Sequence, residues 1–203
     1  MLNSMQPREL HVWEVVMEAQ HFLQRVNYFE GQLLTASDFQ AEQTYFREKL
    51  RRHNRYLHGW GIAWGLRVTL NKDNHSVIIS AGCALDCMGN ELILPEQVAE
   101  PIPAQGKEWY LALEYMEEAV QPVLVPGSDG SAQAFSRIKE WAAVVWLPDR
   151  PSHSGGPGPA PFDTCGAAHA VLLAHLIRRK RRWEIHKTYQ PQKAYRKRNS
   201  DNG

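Results

Sequence analysis

The run TASDFQAEQTYFREKLRRHNRYLHG, Thr35 to Gly59, leaves little freedom in how this part of the chain folds. With Thr35 as N-cap, Asp38 stands at the third helical position, where its carboxylate can reach back to the cap amide. Leu34 and Phe39 are then placed to form a hydrophobic staple, and Ser37 with Gln40 offers a second cap in a shifted register. Phe39, Gln43, Phe46, Leu50, His53 and Leu57 recur at spacings of three and four, one face of a helix, and that face is expected to bury against a β-rich body. Gly59 supplies the left-handed stop, giving a helix over residues ~36–58, about 23 residues and about 34 Å long. On an adjoining face Arg47, Arg51 and Arg55 fall at successive i,i+4 positions, while only Arg52 has a well-placed acidic neighbour, Glu48. The three arginines form a stripe suited to carboxylates on another subunit.

After the helix the pattern changes period. Ile62 to Leu70 and Ser76 to Ser80, around the polar turn Asn71-Lys72-Asp73-Asn74, read as a hairpin. Glu91–Leu94, Trp109–Met116, Val120–Val125, Ile138–Leu147, Ala170–Arg178 and Arg182–Lys187 supply further strands, whereas Pro148 to Gly166 is too rich in Pro and Gly for a regular element. The expected fold is therefore α+β: a mostly antiparallel β-rich body, sandwich or barrel-like, with one long amphipathic helix near the N-terminus. Residues 1–26 are expected to form an arm or short helix, 27–188 a single domain, and 189–203 a basic, flexible tail.

Charge narrows the partners. Lys+Arg 23 against Asp+Glu 22 gives no global pull towards polyanions, yet from Ile177 onward RRKRRW and YRKRN concentrate cations. Arg178, Arg179, Lys180, Arg181 and Arg182 are accordingly candidate contacts for an acidic sister subunit. Nucleic acid is the less favoured partner, because stacking aromatics are sparse there: Trp183, Tyr189 and Tyr195. No basic segment leads into an apolar core at the N-terminus and no apolar run approaches the ~20 residues of a bilayer span, so neither export by a signal peptide nor membrane insertion is expected.

Motifs for chemistry are weak. The glycines of GWGIAWG, Gly59, Gly61 and Gly65, follow a helix and precede a strand, the reverse of a nucleotide-binding loop, and are assigned to packing under Trp60 and Trp64. Cys83 and Cys87 at CxxxC spacing, with Cys165 and His169, could complete a zinc site. An odd number of cysteines without an export signal reads instead as reduced thiols, and no metal or other cofactor is assigned. Asp86 with Gly89 is assigned to a turn through Met88 and Asn90. His53 and His58, five apart, do not share a helical face as zinc ligands at i,i+4 would. Neither an HExxH helix nor a glycine-framed serine is present, and no catalytic residue is assigned.

The run YFEGQLLTASDFQAEQTYFREKLRRHNRYLHGWGIAWGLRV, followed by VIISAGCALDCMGNELILPE, resembles a family of small structural proteins of bacterial contractile injection systems and phage-tail-like particles. The likeness is closest over Tyr28 to Glu96. The pieces WYLALEYMEEAVQPVLVPG, SRIKEWAAVVWLP and HAVLLAHLI look like the same family's β segments, and G-x-A-x-D-x-x-G-x-E is similar to β domains of tail and baseplate components. The segments before Asn27 and after Ile177 fall outside it.

The resemblance implies a non-enzymatic baseplate, fibre-attachment or tail-end component, present in multiple copies and docking to other subunits of the particle through its helix and basic segment. It implies assembly in the bacterial cytoplasm and then residence in the particle. Two other classes stand beside this one. One is a binding module for a glycan or nucleic acid, using Trp60, Trp64, Trp109, Trp141, Trp146 or Trp183; the other is a zinc-dependent enzyme.

Overall fold

The computed structural model describes residues 23–125, 132–150 and 170–194. These fall into two compact units, one ending at Leu50 and the other starting at Arg51.

In the first unit a turn at Phe29–Gln32, closed by the Gln32 amide on the Phe29 carbonyl and turned at Gly31 (φ 83°), leads to helix α1, Ala36–His53. The cap forms as its residues dictate. Both the amide and the hydroxyl of Thr35 donate to Asp38 Oδ2, at 2.8 and 2.7 Å, and the Thr35 carbonyl accepts the amides of Asp38 and Phe39. The Thr35 hydroxyl, then its amide, hold the Asp38 carboxyl below its ordinary value. A lowered folded-state value means the cap acts above the ordinary carboxylate range and is lost as pH falls through that lowered value. Helicity read by circular dichroism is therefore expected to hold down to about pH 4 and then to drop, and Asp38→Asn is expected to shrink the acid-induced step. An identical step in the variant would show that the cap does not support α1.

The second unit begins with the last residues of α1. At Asn54–His58 the chain widens into a π-helical turn that stops at Gly59 (φ 71°, ψ −152°), so helical structure ends where the glycine predicts. Among the described residues ten strands follow: β1 Gly61–Gly65, β2 Val68–Leu70, β3 Ser76–Ile79, β4 Gly82–Leu85, β5 Glu91–Leu94, β6 Val98–Pro101, β7 Glu108–Leu124, β8 Gln133–Leu147, β9 Val171–Arg179 and β10 Arg182–Ile185. They make three sheets, ordered β1-β4-β5, β2-β3-β6 and β10-β9-β7-β8, and every strand pair is antiparallel. The α+β class is thus what the chain adopts, with one α-helix among the described residues, and the hairpin expected around Asn71–Asn74 is β2–β3.

One core serves all three sheets: Ile62 of β1, Val77 and Ile79 of β3, Leu92 of β5, Leu111 and Leu113 of β7, Leu176 of β9 and Trp183 of β10 are buried together. Their burial removes apolar area from water at about 25 cal/mol per Å². Two strands were not apparent from the sequence. β4 opens on glycine and runs into turn residues, and β6 ends in proline. In the other direction, two expected strands are one, because β7 runs unbroken through Gln121 despite its positive φ of 58°. Beyond Glu117 the β7–β8 ribbon is exposed along nearly its whole length.

Gly61 allows a further crossing. Its φ is 119°, and a Cβ there would lie 2.4 Å from the Gln192 carbonyl oxygen. The space is needed because Gln192–Ala194, in the basic C-terminal stretch, runs beside β1. The Ile62 amide donates to Gln192 O and the Ala194 amide to Ile62 O. Gly65 (φ 64°) permits a similar approach of the Ala81 backbone.

Candidate docking site

The turn between β4 and β5, Asp86-Cys87-Met88-Gly89-Asn90, is built around one carboxylate. Asp86 is fully buried. Its Oδ1 accepts the amides of Met88 and Asn90, both at 2.8 Å, and its Oδ2 accepts the Asn90 side-chain amide at 2.7 Å. Asp86 therefore closes its own turn, and Gly89 (φ 88°) lets the turn approach the helix, since a Cβ there would sit 2.2 Å from the Arg51 carbonyl oxygen.

Onto this turn the end of the helix is fastened by polar groups. Asn54, buried, donates its side-chain amide to the Gly89 carbonyl at 2.9 Å. Arg51 Nε donates to Asn90 Oδ1 at 2.6 Å, its guanidinium lies 3.5 Å from Glu117 Oε1, and the Tyr115 ring is 6.0 Å away. This corrects the arginine stripe. Arg51 is a fastening inside the chain rather than an exposed contact. Arg55 is half-buried with its Nε out of reach of solvent, beside the Tyr56 ring, while Arg47 is exposed on α1. Changing all three to Glu would put a carboxylate against Glu117, so it does not isolate docking from folding.

The apolar face behaves in the opposite way. It was expected to bury, yet no residue of α1 is buried, and Phe39, Phe46 and Leu50 keep 51, 59 and 52 % of their surface exposed. Leu57, in the π-helical turn, is exposed as well. At its C-terminal end the helix thus turns its polar side, Arg51 and Asn54, to its own unit. Its apolar side faces solvent. Spacing reveals a hydrophobic stripe but not whether the chain itself or another molecule covers it.

The five cations Arg178 to Arg182 lie where the two expected strands meet. Arg178 and Arg179 close β9, Lys180-Arg181 form a two-residue turn and Arg182 opens β10. The second cluster, YRKRN, lies outside the described residues.

The thiol reading needs correction at one position. Cys83 is a free thiol, raised above its ordinary value by burial and then by Glu91, but Cys87 is disulfide-bonded. Counting cysteines addresses the compartment, not which sulfurs the fold brings together. Cys165 and His169 lie outside the described residues. Among the described residues no group of three or more His, Cys, Asp or Glu is placed to hold a metal. His53 and His58 do meet, with their Nε2 atoms 3.2 Å apart, because the π-helical turn between them brings residues five apart onto one face.

Of the tryptophans, Trp183 is buried, Trp60, Trp109, Trp141 and Trp146 are half-buried, and Trp64 is 59 % exposed. A further cluster is invisible in the sequence because its members are far apart in the chain. Glu108 Oε1 bonds His175 Nε2 at 2.6 Å, Tyr110 stacks on that ring at 4.5 Å, and His186, bonded to the Thr188 hydroxyl, lies at 4.9 Å. Tyr189 lies edge-on to the His175 ring, its hydroxyl raised to about 12, chiefly by burial.

No family model and no curated protein matches the chain. Solved structures similar to it are type VI secretion baseplate proteins. They include the TssK-TssF-TssG baseplate subcomplex of the type VI secretion system, at 10 % identity over 84 % of this chain and 62 % of that one, with a TM-score of 0.49. A crystal structure of TssK shares 14 % identity over 84 % and 42 %, at a TM-score of 0.47. The baseplate complex from the type VI secretion system shares 11 % over 84 % and 60 %, at 0.45. The chain spans less than two thirds of the length of each of these three.

Proposed function

We propose that the chain is a non-enzymatic structural subunit of a contractile, phage-tail-like injection particle. In that particle it serves as a baseplate, fibre-attachment or tail-end component present in several copies. Its docking elements are helix α1 and the basic segment Arg178–Arg182, and its partners are other subunits rather than nucleic acid or membrane. It is assembled in the bacterial cytoplasm.

The observation that carries this reading is the outward apolar face of α1. Large apolar side chains at helical spacing and half or more exposed are costly in a monomer, whereas a helix laid into a groove on a partner buries such a set at i, i+3, i+4 and i+7 positions. The likeness of Tyr28–Glu96 to the particle-associated family supports the same reading. The rest of the surface agrees: the exposed β7–β8 ribbon carries Val123, Leu124, Phe135 and Ile138 outward, and a two-stranded ribbon of this kind is marginal in water without a neighbour. Among the described residues no helix is long and apolar enough to cross a membrane.

Mass spectrometry of contractile particles purified from the source cells tests the reading. The chain is expected at a fixed ratio to the other subunits through successive gradients. Its absence from intact particles would remove the proposal.

A further inference from the structure

The β9–β10 turn sets local preference against charge. Lys180 and Arg181 have φ of 46° and 69°, and Arg179 pairs with Arg182 on either side of them. Positive φ at both central residues of a two-residue hairpin is the sign pattern of a type I′ turn, which Asn-Gly adopts at least cost and long side chains adopt under strain. Local conflicts of this kind concentrate where side chains serve something other than the fold.

Around the turn the cations converge. The Arg178 amide donates to the Lys107 carbonyl at 2.8 Å, which brings the segment before β7 alongside the tip of the hairpin. Gly106, Lys107, Arg178 and Arg181 line one open concavity. Arg178 is oriented by the Trp183 ring, 5.6 Å from its guanidinium, and by the Ala104 carbonyl at 3.5 Å. Among the described residues, neither these three cations nor Arg179, Lys180 and Arg182 have a carboxylate partner.

We infer that this concavity binds carboxylates presented by an acidic segment of a neighbouring subunit. The inference rests on the subunit reading and names the partner chemistry at its basic surface. Planar guanidinium groups bind carboxylates through two parallel hydrogen bonds, and Lys107 adds a point charge. The cluster is compact, drawn from one turn and one neighbouring strand end, so it suits a few carboxylates rather than a tract of phosphates. Its aromatic neighbours offer no stacking platform: Trp183 is only 6 % exposed, and Trp109 directs its Nε1–H to the Gln105 carbonyl. With a formal net charge of +1, the chain as a whole does not favour polyanions.

The test is binding of a labelled hexaglutamate peptide to the purified chain by fluorescence anisotropy, with a single-stranded oligonucleotide of mixed sequence as comparison. Two variants separate binding from folding. K180N/R181G gives the turn its preferred residues, so its thermal midpoint is expected to rise by about 2 to 4 °C while peptide affinity falls at least about tenfold. K107A leaves the turn alone and is expected to weaken binding with an unchanged midpoint. Unchanged affinity in both variants overturns the site, as does tighter binding of the oligonucleotide than of the peptide at about 150 mM salt. Particle incorporation is read separately. A chain that ignores the peptide but enters particles normally overturns the carboxylate site and leaves the subunit reading standing. A chain that binds the peptide but is absent from wild-type particles overturns the subunit as the source of the carboxylates.

Discussion

Replacing Asp86 by alanine is expected to lower the unfolding free energy by about 3 kcal/mol, seen as a shifted denaturant midpoint with little change of slope. Asp86 is fully buried, and its side chain is the acceptor for two backbone amides and one side-chain amide of its own turn. Alanine leaves those donors without a partner while adding no packing, and unsatisfied buried donors cost more than the hydrogen bonds they replace contribute. Further loss comes through Asn90 and Gly89, because these are the groups to which Arg51 and Asn54 fasten the end of the helix. Asp86→Asn keeps the shape and one acceptor oxygen and is expected to cost distinctly less. If alanine and asparagine leave the midpoint equally unmoved, the turn is not organised by this carboxylate and the anchoring of the helix needs another explanation.

What could be read from the sequence depended on whether the signal was local. The start of α1 was legible because Thr35 and Asp38 satisfy each other within one turn, and the stop was legible because Gly59 takes a positive φ. The strands from Glu91 and from Trp109 onward announced themselves by alternation. β4 did not, since Gly82 opens it and Asp86 to Asn90 dominate its end with turn chemistry. The turn at Lys180-Arg181 was bracketed by the expected strands ending at Arg178 and starting at Arg182, but nothing in those two residues signals a positive φ. His53 and His58 looked incompatible because helical spacing was taken as uniform, while the π-helical turn brings their rings together.

For the docking surface the stripe was legible and its cover was not. Phe39, Phe46, Leu50 and Leu57 do form one face, but a hydrophobic pattern is the same whether the chain or a partner buries it. The reverse error affected the arginines. Their spacing suggested an outward row, and groups far away in sequence, Asn90 of the β4–β5 turn and Glu117, draw Arg51 inward. Lys107 and the His175 cluster depend on pairings between strands well separated in the chain and leave no local trace.

The second large effect concerns that outward face. Phe39, Phe46 and Leu50 are each more than half exposed, so replacing all three by glutamine, a good helix former, is expected to leave the isolated chain folded with its helicity nearly intact. In a partner's groove the same side chains would each contribute about 1 to 2 kcal/mol on burial, so their joint loss is expected to weaken association by about a hundredfold or more. Arg51 is left untouched, which keeps the helix end fastened and confines the change to the surface. Thermal unfolding of the purified variant checks that condition.

The most direct measurement is the amount of the Phe39→Gln, Phe46→Gln, Leu50→Gln chain in purified contractile particles, compared with the wild-type chain expressed at the same level. The subunit account predicts that the folded variant stays in the unassembled fraction and is nearly absent from particles. Incorporation at the wild-type level, with the helix shown to be intact, would contradict it.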